Sequence, residues 1–170
     1  MRKSRAAVGS SVFMALAPGV VAGVVPWWLT RWESGGWWLP VRVLGGVVLA
    51  VGAVVLVHAF VRFVVEGLGT PAPVAPTEHL VVGGLYRHVR NPMYVAVTAS
   101  IGGQALLLGR PVLLGYGAFA GVVMWAFARW YEEPKLVGTF GAEYERYRDA
   151  VPGWWPRVRA WRGDMSVGTT

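Results

Sequence analysis

Four apolar stretches dominate this 170-residue sequence, and each is near the length that a helix needs to cross a bilayer. They cover residues 8–29, 41–65, 93–108 and 112–131. A helix rises 1.5 Å per residue and the hydrocarbon core is about 30 Å thick, so about 20 apolar residues make one crossing. The composition agrees, since 55% of the residues are hydrophobic and only 15% are charged. We therefore predict an all-α fold, a multi-pass transmembrane helical bundle of about four spans that forms a single integral membrane domain over residues 1–170.

The positions of Lys and Arg predict the orientation of this bundle. Of the sixteen basic residues, only Arg31, Arg42 and Arg110 fall in or beside the loops after the first and third stretches. Because basic residues are enriched in cytoplasmic segments, both termini and the loop at residues 66–91 are expected in the cytoplasm. Arg outnumbers Lys fourteen to two, which is typical of a GC-rich genome, and the expected location is the bacterial cytoplasmic membrane.

Charge and composition also exclude several function classes. The formal charge of +7 indicates contact with anionic membrane lipids more than with nucleic acid, because no basic stripe with interleaved aromatic residues is present. The chain has no cysteine, so it lacks a thiolate nucleophile and a Cys-based metal site. The spacing of His58, His79 and His88 matches no metal motif, and no metal is predicted.

A second periodic pattern follows the last apolar stretch. Apolar residues recur there at steps of three or four, with charged residues between them: Leu136, Phe140, Tyr144, Tyr147 and Val151. This spacing predicts a cytoplasmic C-terminal amphipathic helix over residues 134–151, lying on the membrane surface or capping the helical core. Gly153 ends it, and residues 153–170 are interpreted as a tail.

The junction before the third stretch is the first candidate for chemistry. Asn91 is a natural N-cap and Pro92 suits the first helical position. The free N–H groups and positive dipole end of that helix, beside Arg90, would form a site for a carboxylate or phosphate. A cationic stop signal followed by a well-capped helix explains the same residues equally well.

The end of the fourth stretch is the second candidate. Glu132 and Glu133 are adjacent carboxylates where a helix leaves the membrane, a place where acids are costly and are expected to have partners. Glu133 could simply favour the start of the next helix, before Pro134. Glu132 is the better functional candidate, since it could accept hydrogen bonds from ribose hydroxyls or face a cationic centre.

Three polar residues within the apolar stretches are interpreted as structural. His58 and Arg62 lie one turn apart and fit a polar contact between helices and a base that reaches toward water. Gln104 is expected to make a helix–helix hydrogen bond.

At these two candidates the sequence resembles the integral membrane methyltransferases that include isoprenylcysteine carboxyl methyltransferases and phospholipid N-methyltransferases. The resemblance covers residues 78–152. Its motifs are Glu78-His79-Leu80-Val81-Val82-Gly83-Gly84-Leu85-Tyr86, then Arg90-Asn91-Pro92-Met93-Tyr94, then Glu132-Glu133, Leu136, Phe140-Gly141, Tyr144, Tyr147 and Val151-Pro152. The first two apolar stretches match only as apolar helices.

The resemblance implies an S-adenosylmethionine pocket at the cytoplasmic interface, within a methyltransferase core at residues 67–152 that follows two spans at residues 1–66. The residues implied to bind this cofactor are Glu78, His79, Leu80, Val81, Tyr86, Asn91, Pro92, Met93, Tyr94, Glu132 and Glu133. Those implied in catalysis are Arg90, Glu132 and Arg129. The family usually carries a substrate-orienting Arg one turn before the glutamates, where this chain has Ala128 with Arg129 beside it.

The chemistry of the cofactor agrees with these residues. Its carboxylate suits a helix N-terminus and Arg, its ribose suits Glu132, and its sulfonium is attracted to the rings of Tyr86 and Tyr94. Arg90 could hold an anionic acceptor, whereas an amine acceptor would need a base such as Glu132 or Glu133.

The function expected from the sequence is S-adenosylmethionine-dependent methyl transfer to a lipophilic acceptor, which could be an isoprenylcysteine-like carboxylate, a phospholipid amine or a thiol. Two alternatives stay open. One is an NADPH-dependent membrane reductase, since sterol reductases resemble this architecture, and the other is a non-catalytic membrane scaffold. Neither the acceptor nor the oligomeric state can be deduced from the sequence.

Overall fold

The computed structural model describes residues 16–67 and 79–163. All regular structure in these two ranges is helical, which confirms the predicted all-α class. The helices are α1 (Leu16–Thr30), α2 (Leu39–Gly67), α3 (Pro92–Leu108), α4 (Pro111–Phe127), α5 (Glu133–Phe140) and α6 (Ala142–Ala150). A π-helical turn at Ala128–Glu132 joins α4 to α5, so Pro111–Phe140 is one helical run of 30 residues.

Two of these helical segments are long and apolar enough to cross a membrane, Leu39–Phe63 and Pro111–Phe140. Only 17% and 22% of their most apolar stretches are buried, so most of their apolar surface faces outward, as contact with lipid requires. In the described residues, α1 and α3 are apolar but shorter. Residues 8–15 of the predicted first span lie outside the described ranges, and the number of about four spans stays a prediction.

Helix α3 is the centre of the structure. Its residues Val97, Ile101 and Ala105 form a buried core with Leu113 and Ala120 of α4. On its other side, α3 lies so close to α2 that the two backbones touch. An added Cβ at Gly103 would lie 2.6 Å from the backbone nitrogen of Leu49, and one at Gly45 would overlap the backbone nitrogen of Leu107. The sequence achieves this approach with small residues, which allow helices to pack closely in membranes.

Replacing Gly45 by Ala is therefore expected to force α2 and α3 apart and to lower the free energy of unfolding by about 1–3 kcal/mol. The matched control is Gly46→Ala, because a Cβ at Gly46 would make only an ordinary contact, 3.7 Å from Leu107 Cδ1. Thermal unfolding of both variants in detergent checks this. Equal melting temperatures for the two variants would contradict the close approach of the backbones.

Helix α1 is held to the bundle through a π-helical turn at Val20–Val24. Gln104 Nε2 donates a 2.6 Å hydrogen bond to the carbonyl oxygen of Ala22, and the hydroxyl of Tyr116 donates a 2.8 Å bond to that of Val21. Both acceptors belong to the π turn, where the ordinary helical pairing of carbonyls is altered. The prediction that Gln104 makes a helix–helix hydrogen bond is confirmed.

The region predicted as one amphipathic helix over residues 134–151 is divided in two, so this prediction is wrong in its continuity. Helix α5 ends at Phe140 and α6 begins at Ala142. Gly141 lies between them with φ of +52°, a left-handed value that ends helices and that glycine adopts readily. The apolar side chains still converge in a core made by Tyr144, Tyr147 and Val151, against which Leu80, Val82, Leu136, Val137, Phe140, Ala150 and Trp161 pack.

The described part of the segment interpreted as a tail is attached to the loop before α3. Backbone hydrogen bonds run from Arg90 N to Pro152 O at 2.9 Å and from Asn91 N to Gly153 O at 3.2 Å. Further along, Arg157 N and Trp161 N donate to the same loop, at the carbonyls of residues 88 and 87. The C-terminal segment therefore frames the start of α3.

Candidate functional site

The start of α3 is built as the sequence predicts in one respect and differently in another. Pro92 occupies the first turn, as expected. Asn91 lies at the N-cap position, but its side chain makes no capping hydrogen bond, and Nδ2 instead donates to Gly153 O at 3.2 Å. The N-cap role predicted for the Asn91 side chain is thus wrong, and the side-chain amide instead joins the helix start to the C-terminal segment. The first backbone N–H groups of α3 are left without a side-chain cap, at the positive end of the helix dipole.

Arg90 is held by three partners around this helix start. Its Nη1 donates to Glu133 Oε1 at 2.9 Å and to the hydroxyl of Tyr144 at 3.1 Å, and its Nε donates to Val151 O at 2.9 Å. The side chain is only 14% exposed. Arg90 therefore joins α3 to α5 and α6, and two of its three nitrogens are occupied by the protein.

Glu133 is shared between two arginines. Its second oxygen, Oε2, accepts a 2.9 Å hydrogen bond from Arg129 Nη1, one turn earlier along the helix. Glu133 is 13% exposed and Arg129 is 58% exposed. Both carboxylate oxygens of Glu133 therefore accept hydrogen bonds within the protein. Arg90 is the buried partner and Arg129 is the exposed one.

Glu132 faces a different neighbour from Glu133, although the two are consecutive. Its Oε1 accepts a 2.6 Å hydrogen bond from the hydroxyl of Tyr94 in the first turn of α3. The ring of Tyr94 stacks on Trp154, with centroids 6.1 Å apart and planes within 14°. Among the described residues, no other hydrogen-bond partner reaches the carboxylate of Glu132. A π turn, a feature often found at functional sites, ends at this residue.

The loop before α3 is fixed from both sides. Glu66, near the end of α2, accepts a 2.8 Å hydrogen bond from Gly83 N and a 2.9 Å bond from Arg62 Nη1. An added Cβ at Gly83 would overlap the Glu66 carboxylate, so glycine is required for this approach. On the other side, the hydroxyl of Tyr147 donates a 2.7 Å bond to the carbonyl of Tyr86. The predicted contact of Arg62 with solvent is replaced in part by this ion pair with Glu66.

Two buried tyrosines lie where the loop meets the helices. Burial raises the pKa of Tyr147, and it also raises the pKa of Tyr86, with further contributions from Tyr147 and from the carboxylates of Glu132 and Glu66. Both phenols therefore stay protonated at physiological pH and act as neutral donors.

The structure brings together most of the residues that the sequence singles out. Around the start of α3 lie Arg90, Asn91, Pro92, Met93, Tyr94, Arg129, Glu132 and Glu133. Val81, Tyr86 and Met93 pack together in a buried cluster with Ala59, while Leu80 packs against the core of α6. His79 is exposed at the edge of the described loop, and Glu78 lies outside the described residues. In the described ranges, no three His, Asp or Glu side chains are grouped as metal ligands.

Sequence reasoning missed three residues that shape this site: Glu66, Tyr147 and Trp154. Tyr147 is part of the apolar pattern and of the resemblance motif, but neither assigns it the bond to the loop, and no motif includes Trp154. Glu66 carried a signal that could have found it. An acid at the end of an apolar stretch, four residues after Arg62, is costly near a membrane without partners.

Comparison with known proteins gives the family. The profile of the phospholipid methyltransferase family matches residues 40–143. A protein-S-isoprenylcysteine O-methyltransferase of the fission yeast Schizosaccharomyces pombe is 37% identical over 82 residues, which are 46% of this chain and 34% of that protein. The chain thus aligns with about a third of the length of that relative. No solved structure matches it significantly. Since the family profile covers most of the chain, from α2 to the start of α6, the chain belongs to the phospholipid methyltransferase family.

Proposed function

We propose that this protein is an S-adenosylmethionine-dependent methyltransferase that acts on a lipophilic acceptor at the cytoplasmic surface of a membrane. The observation that carries the proposal is the Glu132–Tyr94 hydrogen bond beside the uncapped start of α3. Family membership supports methyl transfer, and the outward apolar surfaces of α2 and α4 support a membrane location. The apolar stretches support about four spans, and the charge distribution supports both termini in the cytoplasm.

The residues present fit the chemical groups of this cofactor. The uncapped N–H groups of α3 would bind its carboxylate, because a helix N-terminus favours anions. Glu132 Oε2, which has no hydrogen-bond partner among the described residues, would accept a hydrogen bond from a ribose hydroxyl. The aromatic faces of Tyr86 and Tyr94 would attract its sulfonium. Glu133, implied to bind the cofactor, and Arg90, implied in catalysis, would contribute indirectly, since they are bound to each other.

The chain itself would supply orientation and exclusion of water. S-adenosylmethionine supplies an electrophilic methyl group, so the protein needs no covalent intermediate. Tyr94 would hold Glu132 in one orientation, and Trp154 would hold the ring of Tyr94. The buried cluster of Val81, Tyr86 and Met93 would keep water from one side of the site.

The acceptor would be an isoprenylcysteine-like carboxylate, a phospholipid amine or a thiol. An amine must lose a proton when it is methylated, and Glu132 is the carboxylate placed to accept it. A carboxylate acceptor needs no base and would be attracted by the exposed guanidinium of Arg129. Arg129 would then take the place of the Arg that the family usually carries one position earlier.

Equilibrium titration of the purified protein tests the cofactor. We expect saturable binding of S-adenosylmethionine and S-adenosylhomocysteine and no binding of NADPH. Binding of NADPH alone would favour a reductase and overturn the proposal. Binding of neither compound would favour a scaffold without catalytic activity.

Replacing Tyr94 by Phe is expected to weaken S-adenosylmethionine binding about tenfold, because a hydrogen bond to a charged group contributes roughly 1.5 kcal/mol or more. The stack on Trp154 would remain. The matched control is Tyr116→Phe, which removes a hydroxyl bonded to Val21 O at the far end of the run Pro111–Phe140. That variant should bind the cofactor as the wild type does. Unchanged affinity in Tyr94→Phe would show that the hydroxyl does not orient Glu132.

A further inference from the structure

The C-terminal segment at residues 154–163 exposes apolar and basic side chains that the proposed reaction does not use. Trp155 and Val158 are 82% and 97% exposed. Between residues 150 and 163 the sequence has no acidic residue and three arginines, Arg157, Arg159 and Arg162. None of these arginines forms an ion pair with another residue that the structure describes. Exposed apolar side chains next to unpaired charges of one sign indicate a binding partner outside the chain.

This segment has a defined position on the protein. His88 Nδ1 and Arg157 O are 2.8 Å apart, and Arg157 N donates to His88 O at 2.9 Å. Arg87 Nε donates to Trp161 O at 2.6 Å, and the ring of Trp161 packs on that of Tyr147 with centroids 5.5 Å apart. The exposed side chains are therefore presented on a fixed backbone.

The segment also lies level with one end of the apolar helices. Trp154 stacks on Tyr94 in the first turn of α3, and Tyr94 bonds to Glu132 just beyond α4. Trp130, which precedes Glu132 by two residues, is 73% exposed. Exposed Trp at the ends of apolar helices is typical of the headgroup region of a membrane. Trp130 and Trp155 are thus expected at the same headgroup region of the membrane. The three arginines follow Trp155 within seven residues.

We infer that Trp155, Val158, Arg159 and Arg162, here called the basic surface, bind the anionic phospholipid headgroups of the membrane that holds α2 and α4. An open depression on this segment is lined by Arg157, Arg159, Trp161 and Arg162. A guanidinium group can donate two parallel hydrogen bonds to the oxygens of one phosphate. The apolar side chains of Trp155 and Val158 favour a lipid surface over an acidic protein. The inference rests on the membrane location in the proposed function and does not depend on methyl transfer.

A spin label tests this directly, because the chain has no cysteine of its own. The variant Val158→Cys carries a nitroxide in full-length protein reconstituted into nanodiscs of phosphatidylcholine, alone or mixed with phosphatidylglycerol. In the mixed lipid we expect the label to lose mobility and to become accessible to oxygen rather than to a water-soluble nickel complex. A label at Glu145→Cys, exposed on α6, is the control and should not respond to lipid charge.

Replacing two arginines tests how much the basic surface contributes to membrane binding. Each basic residue near an anionic membrane strengthens binding about fivefold, so Arg159→Gln/Arg162→Gln should lower the ratio of bound to free label roughly 25-fold. High salt should also lower the ratio of bound to free label, because it screens the charges. The inference is overturned if the label responds equally to both lipids, if the double variant keeps the full response, or if inorganic phosphate alone gives the response in phosphatidylcholine. Titration of S-adenosylmethionine into the same nanodiscs separates this result from the fate of the proposed function.

Discussion

Replacing Glu132 by Gln is expected to weaken S-adenosylmethionine binding by about 10- to 100-fold, since a hydrogen bond to a charged group contributes about 1.5–3 kcal/mol. The substitution keeps the shape of the side chain and an oxygen that can still accept from Tyr94. It removes the negative charge that would bind ribose hydroxyls and face the sulfonium. Calorimetric titration of the purified variant measures the change, and the melting temperature should shift little.

The neighbouring substitution Glu133→Gln is the matched control for Glu132→Gln. Glu133 holds Arg90 and Arg129 through both of its oxygens, so its loss of charge should lower the melting temperature more than it lowers cofactor affinity. The two adjacent residues are thus expected to give opposite patterns. If Glu133→Gln abolished binding while Glu132→Gln did not, the assignment of the two carboxylates would have to be exchanged.

Arg90→Ala is expected to lower the free energy of unfolding by about 3 kcal/mol or more, because breaking a buried ion pair leaves its partner without compensation. The pair of Arg90 and Glu133 is 14% and 13% exposed, and Arg90 also bonds the Tyr144 hydroxyl and the Val151 carbonyl. Three segments that frame the site would lose their common contact. Thermal unfolding in detergent, followed by circular dichroism, gives the measurement.

Two further variants show whether the loss of stability in Arg90→Ala comes from the buried ion pair. Arg129→Ala removes the exposed partner of Glu133 and should cost less than about 1 kcal/mol, as surface ion pairs do. The double variant Arg90→Ala/Glu133→Ala should be less destabilised than the sum of its single changes, because no buried carboxylate is left unpaired. A stable Arg90→Ala protein that no longer transfers methyl groups would instead identify Arg90 as a ligand of the acceptor.

The helices could be predicted because their signals are local. The apolar stretches and Pro92 predicted α2 to α4 closely, and Gln104 in an apolar surrounding predicted a helix–helix hydrogen bond, which the structure shows with α1. The division at Gly141 could also have been found, since glycine often ends helices, but the regular spacing from Leu136 to Val151 outweighed one residue. Spacing fixes which side chains share a face and says little about whether the backbone between them is continuous.

The partners within the site could not be predicted because they depend on contacts distant in sequence. Asn91 and Arg90 were assigned roles from their immediate neighbours, yet both bind the segment at residues 151–153, about 60 positions later. The sequence favours Glu132 over Glu133 as the functional residue, but only the structure shows that Glu132 faces Tyr94 and that Glu133 faces Arg90. The role of Trp154 also depends on a distant contact, because its ring stacks on that of Tyr94 in α3.

Methyl transfer itself is the most direct test of the proposed function. Purified protein is incubated with S-adenosylmethionine radiolabelled in its methyl group and with either a total membrane lipid extract or an isoprenylcysteine analogue, and Glu132→Gln serves as the blank. We expect label in one lipophilic product from the wild type and much less from the variant. Absence of label from every lipophilic fraction, with cofactor binding intact, would contradict methyl transfer to a lipophilic acceptor.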